Sequence, residues 1–169
     1  FTVLFAGNIG RFQDLDTVVS AMEILSDNSN IEFIFMGEGV EKDKLKKRAI
    51  STGGNVKFVS QQSIETAKEV MRRVDLGYVG LSKDVVRYAY PSKIMTYLEQ
   101  GCPVLVAVEK ESDLAYDVLS CKYGFTVENG DAKALAYLLL KLSKNMNWSK
   151  EMKQSALDKS NADYSIDVA

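Results

Sequence analysis

The sequence has no histidine, two prolines, two cysteines and one tryptophan among its 169 residues. Without histidine, the chain cannot assemble a Ser-His-Asp triad, a Cys-His dyad or a His-ligated metal by itself. Cys102 and Cys121 are too few for an all-cysteine zinc site and are not spaced like metal ligands. Cys102, in an apolar stretch before Pro103, reads as a small buried hydrophobe. Positive charge is not in excess either. Lys and Arg number 21 against 23 Asp and Glu, a net charge of −2, and this argues against a nucleic-acid partner. Long apolar runs are also missing. The longest, 135–142, is broken by Lys141 and is far short of the roughly 20 residues that span a bilayer. No segment resembles a signal peptide, and with free thiols this sets the expectation of a cytoplasmic chain.

What is present is an ordinary globular composition, 46% apolar and 26% charged, at a length that suits one domain. Short apolar runs alternate with helical periodicities. Residues 2–6 read as a strand ending at Gly7, and Leu15, Val18, Val19, Met22 and Leu25 follow at helical spacing. Further strands are predicted over 31–36, 56–59, 76–81, 104–108 and 124–127. Helices are predicted over 40–49, 66–74, 112–119 and from Asp131 onward. Tyr90-Pro91-Ser92 opens one more helix, which stops at Gly101, with proline early and glycine late as helix ends prefer. Continuous apolar strands separated by helices describe a doubly wound, mostly parallel, Rossmann-like α/β sheet.

In such sheets ligands bind outside the carboxyl ends of the strands, and the residues hardest to explain by packing collect there. Gly7-Asn8-Ile9-Gly10-Arg11 follows the first strand. Two glycines allow close backbone approach, and Arg11 adds charge at a helix start, although a tight structural turn would use the same residues. Gly37-Glu38-Gly39 follows the second strand, a flexible turn at a helix entrance that taken alone reads as structural before it reads as a ligand contact. Ser60-Gln61-Gln62-Ser63 follows the third, with Ser63 placed to cap the next helix. A polar, aromatic loop over 81–90 then leads to Pro91-Ser92-Lys93, a helix entrance with a hydroxyl and a cation. Arg11 and Lys93 are expected to be solvated charges that contribute little to folding. Glu99 sits near a helix C-terminus, where the dipole disfavours a carboxylate. Met95 and Tyr97 read as packing residues. Together the pattern suggests a nucleotide or nucleotide-sugar phosphate site.

The order of these pieces resembles the C-terminal, donor-binding half of retaining glycosyltransferases of the GT-B fold, family 4 (group 1). The stretch from Phe5 to Asp16 is similar to the first glycine loop of the branch with Gly-Asn-Ile-Gly followed by Gln. Phe33 to Gly39 resembles the strand ending in Gly-x-Gly, and 55–59 and 74–78 resemble the next two strands. Pro91-Ser92-Lys93-Ile94 through Tyr97-Leu98-Glu99-Gln100-Gly101 resembles the Pro-Ser-Lys form of the donor-site helix. Tyr123 to Val127, with Asn129-Gly130-Asp131, resembles the last strand and helix. Two departures stand out. Many members carry two glutamates separated by seven residues; Glu99 fits the second, and Pro91 occupies the first. Asn8 and Gln13 stand where a basic pair is common, with Arg11 as the substitute.

The resemblance implies that residues 1–147 form a donor domain for a UDP- or GDP-linked sugar. Gly7, Asn8, Gly10 and Arg11 would approach the diphosphate, and Ser92 with Lys93 would hold its other side. Glu99 would bind ribose hydroxyls, and the backbone near Val59 and Ser60 would read the base. Gln13, Gly37, Glu38, Gly39, Pro91 and Ile94 complete the implied donor contacts. Arg11 and Lys93 would serve catalysis by stabilising the departing diphosphate, with no cofactor and no metal. The acceptor would belong to a preceding domain, and the whole enzyme would work in cell-surface polysaccharide synthesis at the inner face of the membrane. The chain is then expected to be one domain of that enzyme, inactive alone. Its segment 148–169 would return to the preceding domain and be weakly anchored here. Three alternatives stay open on the residues: a Rossmann-like dinucleotide domain, a receiver-like interaction domain, and a sugar-nucleotide epimerase of related fold. The first lacks Gly-x-Gly-x-x-Gly, and the second lacks clustered acids after the first strand.

Overall fold

Strands and helices alternate along the chain in a computed structural model, which describes residues 1–85 and 91–167. The order is β1 (Thr2–Ala6), α1 (Leu15–Ile24), β2 (Glu32–Met36), α2 (Lys42–Thr52), β3 (Val56–Val59), α3 (Ile64–Arg73), β4 (Leu76–Gly80), α4 (Lys93–Glu99), β5 (Val104–Ala107), α5 (Asp113–Ser120), β6 (Gly124–Val127), α6 (Ala132–Lys144) and α7 (Ser149–Asp167). The six strands form one sheet in the order β3-β2-β1-β4-β5-β6. Each of its pairings is parallel. The chain reverses its direction of winding between β1 and β4, so a crevice opens there at the carboxyl ends.

Alternation within the strands divides the core between the two faces of the sheet. Val3, Phe5, Phe33, Phe35 and Tyr78 point to the face covered by α1, α2 and α6. Leu4, Ala6, Val79, Val104 and Val106 point to the face covered by α3, α4, α5 and α7. Burial on both faces explains why the strands read as unbroken apolar runs. Helix starts follow local chemistry: Ser63, Ser112 and Asp131 each accept a bond from the amide three residues on. Ser92 does not. It has helical dihedrals, caps nothing with its side chain, and leaves α4 to begin at Lys93. Tyr90, the expected opening of this helix, and the rest of 86–90 lie outside the described residues.

The segment after Trp148 is anchored more firmly than expected. Ala156 and Ser160 of α7 are buried, and Leu157 lies beside Gly101 at the end of α4. Lys159 reaches Asp117 on α5 at 3.1 Å, and the Tyr123 hydroxyl donates to the same carboxylate at 2.7 Å. Trp148 itself meets the rings of Phe1 and Phe125 edge-on. The thin apolar stripe of α7 suffices, with Ala156 in the same core cluster as Leu98 and Cys102 and Leu157 against Gly101.

Candidate functional site

At the carboxyl edge, the loops after β1 and β2 continue the sheet ladder beyond the strands. Gly7 N–H donates to the Met36 carbonyl at 2.9 Å, Ile9 N–H to Glu38 at 2.8 Å, and Glu41 N–H back to Ile9 at 3.1 Å. Gly37 N–H reaches the Val59 carbonyl at 3.0 Å, lacing in the end of β3. Gly37 has φ +151°, and a Cβ there would run into the Gly7 carbonyl. Glycine is therefore required by the loop-to-loop contact itself. The Gly10 amide is also occupied, by the Gln13 side-chain oxygen at 3.1 Å. From Gly7 to Gly10, among the described residues, only the Asn8 amide has no protein partner.

The opposite wall is delivered by Tyr97. β1 and β4 pair only through Val3–Leu76 and Leu4–Gly77, and then diverge. Into that gap the fully buried Tyr97 hydroxyl accepts a bond from Ala6 N–H at 2.9 Å and donates to the Leu4 carbonyl at 3.0 Å. It satisfies two backbone groups that the splayed ladder leaves open. Gly77 makes room, since a Cβ there would collide with the Tyr97 ring. The reading of Tyr97 as a packing residue holds, and its hydroxyl fixes α4 to the first strand as well.

Anchored in this way, α4 carries Lys93 across the end of β1. A side chain at position 7 would strike the Lys93 Cε and Nζ, so the missing side chain of Gly7 is the gap through which the lysine passes. Its ammonium rests 4.3 Å from the centroid of the Phe5 ring. No carboxylate among the described residues pairs with it. Burial pulls its pKa down from the usual lysine range to about 8. Arg11 behaves as expected of a solvated charge: its side chain is 74% exposed and lies 3.4 Å from Glu41. Lys93 does not, and the expectation that it is solvated is corrected by the path it takes over Gly7.

A cavity of about 630 Å³ lies between these walls, within the size range of small-molecule sites. Gly7, Asn8, Lys93 and Thr96 line one side. Met36, Ile64, Ala67 and Met71 make an apolar wall on the other, with Gln61 and Gln62 beside it and Gly37-Glu38-Gly39 between. The Glu38 carboxylate is bonded to Lys42 at 2.8 Å, which holds its pKa below the usual range. The structure thus brings together Gly7, Asn8, Gly37, Glu38, Gly39 and Lys93 of the expected residues. Gly10 and Arg11 line a separate, shallower recess with Glu41. Gln13 holds Gly10, and the Val59 carbonyl holds Gly37. Val59, Ser60, Pro91 and Ser92 lie outside the lining. The Ile94 side chain is in the core, which leaves only its backbone for a ligand. Glu99 lies a turn beyond Thr96, 3.8 Å from Lys68 of α3.

Sequence reasoning did not single out Ile64, Ala67, Met71 and Thr96. The first three recur at helical spacing at the start of α3, where such a stripe reads as core. In the structure the same stripe also lines the cavity. Gln61 and Gln62 were visible as polar residues after a strand. No group of three or more Cys, Asp or Glu among the described residues is arranged to hold a metal ion.

Residues 1–159 match the family described as glycosyl transferases group 1. The chain belongs to this family. Its Rossmann-like sheet is that of the C-terminal domains of GT-B group 1 glycosyltransferases. "Probable glycosyltransferase WbjE" of Pseudomonas aeruginosa is 24% identical over 136 residues, 80% of this chain and 34% of WbjE. WcaI of Escherichia coli (strain K12), named for colanic acid biosynthesis, is 29% identical over 113 residues, 66% of this chain and 28% of WcaI. The chain therefore spans about a third of the length of these curated relatives. Among solved structures, Anabaena Alr3699/HepE in complex with UDP superposes with a TM-score of 0.78 at 17% identity, over 96% of this chain and 44% of HepE. No helix among the described residues is long and apolar enough to cross a membrane.

Proposed function

We propose that the cavity takes the nucleoside diphosphate of a UDP- or GDP-linked sugar, and that the chain is the donor half of a transferase that retains anomeric configuration. The observation that carries this reading is the polarity of the cavity. One end holds an ammonium with no carboxylate against it, beside the unspent Asn8 amide. The other end offers an apolar wall flanked by two side-chain amides. A diphosphate with a flat polar base has that same polarity. The crystal structure of HepE with UDP supports the reading by analogy of fold.

In this reading Lys93 faces the diphosphate and stabilises the charge that develops as it leaves, in a site where water is partly excluded. The departing phosphate oxygen takes the acceptor proton, so no histidine base is called for. Arg11 adds charge from the rim, within reach once it leaves Glu41. Glu99, held by Lys68, takes ribose hydroxyls, and the 59–62 segment reads the base. The remaining implied contacts, Gly10, Gln13, Gly37, Gly39, Pro91, Ser92 and Ile94, shape the two loops and the entrance of α4. The acceptor belongs to a preceding domain, which residues 148–169 touch, and one domain alone transfers nothing. The name of WcaI supports a place in cell-surface polysaccharide synthesis, at the inner face of the membrane.

Calorimetric and NMR titration with UDP, GDP and pyrophosphate at fixed ionic strength tests the site. A donor domain by itself offers one wall of a two-domain cleft, so weak binding is expected, in the high micromolar to millimolar range. Shifts should centre on Gly7, Asn8, Gln61 and Lys93. Shifts confined to the β5–β6 side of the sheet would refute the assignment.

A further inference from the structure

We infer that Phe5 is a positioning residue for the Lys93 ammonium, its ring face taking the place that a carboxylate would otherwise fill. The inference rests on the donor-site reading above and adds to it a reason for the charge to be available. A buried lysine ordinarily needs a carboxylate partner. Such a partner in this cavity would cancel the charge offered to a diphosphate and repel the phosphate oxygens. An aromatic face attracts a cation through its quadrupole and carries no net charge. It can hold the ammonium in place and still leave its full charge to the ligand.

The geometry meets that requirement. Nζ lies 4.3 Å from the Phe5 centroid, inside the distance at which the interaction is felt. The ring cannot turn away: Phe5 is 1% exposed, and its neighbour Phe35, at 6.0 Å, is held in turn by Phe33 and Phe58. Gly7 supplies the opening over the strand end. Other charged groups around the lysine are already engaged. Glu38, from the β2–α2 loop, is bonded to Lys42. On the far side, Lys68 of α3 faces Glu99 of α4. Arg11 and Asp14, from the β1–α1 loop, are turned to Glu41 and to Thr17 with Gly130 respectively. Tyr78 of β4, edge-on to Phe33, is a buried phenol whose pKa burial raises, so it stays neutral. Arg87, before α4, lies outside the described residues.

The test is a pH titration of the Lys93 side-chain carbon resonances in the free chain, alongside UDP affinity between pH 7 and 9.5. Over that range the diphosphate's own charge is constant, because its last ionisation lies at about 6; the uracil N3 proton is lost only toward the top of the range, and the Lys93→Arg profile measures that loss separately. Three variants are compared: Phe5→Leu, an isosteric trifluorophenylalanine at position 5 that weakens the ring face without changing the core, and Lys93→Arg. In the wild type the midpoint should fall near about 8, and UDP affinity should decline above it, approaching tenfold per pH unit. Phe5→Leu should move both down by about half to one and a half pH units. The fluorinated ring should move both in the same direction, and Lys93→Arg should flatten the affinity profile. Unmoved midpoints in both position-5 variants would overturn the role of Phe5 and leave the site assignment intact. Failure of UDP to bind the wild type would overturn the donor-site reading and the ligand half of this inference. The midpoints would still decide whether the ring holds the charge.

Discussion

Replacing Lys93 by methionine should make the chain more stable and, at the same time, weaken its grip on a nucleoside diphosphate. The lysine stem follows the wall of the cavity, and methionine has similar length and no charge, so it keeps most of that packing. What it removes is an ammonium that folding takes out of water without a carboxylate partner. The fall in pKa from 10.5 to about 8 corresponds to roughly 3 kcal/mol of folding free energy at neutral pH, at about 1.4 kcal/mol per pH unit. Loss of the contact with the Phe5 ring returns about 0.5–2 kcal/mol of this. A net gain of about 1–3 kcal/mol remains, equivalent to a rise in Tm of about 2–10 °C for a chain of this size.

The pH dependence identifies the cause. Between about 8 and 10.5 the unfolded lysine still holds its proton while the folded one has lost it. The unfolded state then binds more protons, and wild-type stability rises with pH through this window relative to the variant. The advantage of Lys93→Met should be full below pH 8 and should fade as pH approaches 10.5. Urea unfolding at several pH values gives the free-energy difference, and calorimetry with UDP at pH 7 should show a loss of about 1–3 kcal/mol, the range of a charge-assisted contact. A variant less stable than wild type at pH 7, or one that binds UDP as well, would refute the reasoning. The first result would mean that the lysine is structural, and the second that the diphosphate lies elsewhere.

Tyr97→Phe should destabilise the chain by about 1–3 kcal/mol in urea unfolding, because the Leu4 carbonyl and the Ala6 amide lose their buried partner. Glu99→Ala should weaken binding of UDP and leave pyrophosphate binding nearly unchanged, since its proposed partners are ribose hydroxyls; equal losses for both in calorimetry would make it a loop support. Arg11→Ala should leave the melting temperature within about a degree, as its side chain is 74% exposed, and should cost diphosphate affinity less than Lys93→Met does. Adding a chelator should leave UDP affinity unchanged within error, and a large specific loss would show that a metal shares the work of Lys93.

The fold was legible because each strand is a short apolar run closed by glycine or a polar turn, and each helix start carries a capping residue or a change of period. The carboxyl edge could be named for the same reason. Three things were not legible. Gly7 read as an opening for a ligand and Gly37 and Gly39 as a turn that the resemblance joins to the donor site, yet most of their surroundings are used by one loop against the next. Spacing along a sequence does not show that two loops will share hydrogen bonds. Lys93 read as solvated because it stands at a helix start, and only Gly7, remote in sequence, sends it over the strand end. Ile64, Ala67 and Met71 did not stand out, because a cavity wall and a core stripe have the same periodicity.

These points bear on one another through the loop between β1 and α1. With the Gly7, Ile9 and Gly10 amides committed to Met36, Glu38 and Gln13, the turn at 7–10 is braced and keeps one amide without a protein partner among the described residues, that of Asn8, to offer an anion. Gln13 can serve as the brace because its side chain is neutral: its oxygen accepts from Gly10, which a lysine at that position could not do. A turn that spends its donors on its own geometry has little left for an anion, and with Arg11 turned to Glu41 the positive charge inside the cavity comes from elsewhere. The splayed β1–β4 junction, wedged by Tyr97, fixes α4 where a lysine at its first position can reach the end of β1. Asn8, Gln13 and Lys93 then form one arrangement, a braced turn facing a cation from α4. Gln13→Lys should therefore loosen the Gly10 turn and not add affinity. A Gln13→Lys variant that bound UDP more tightly, with the Gly10 amide still protected from exchange, would show the two positions to be independent.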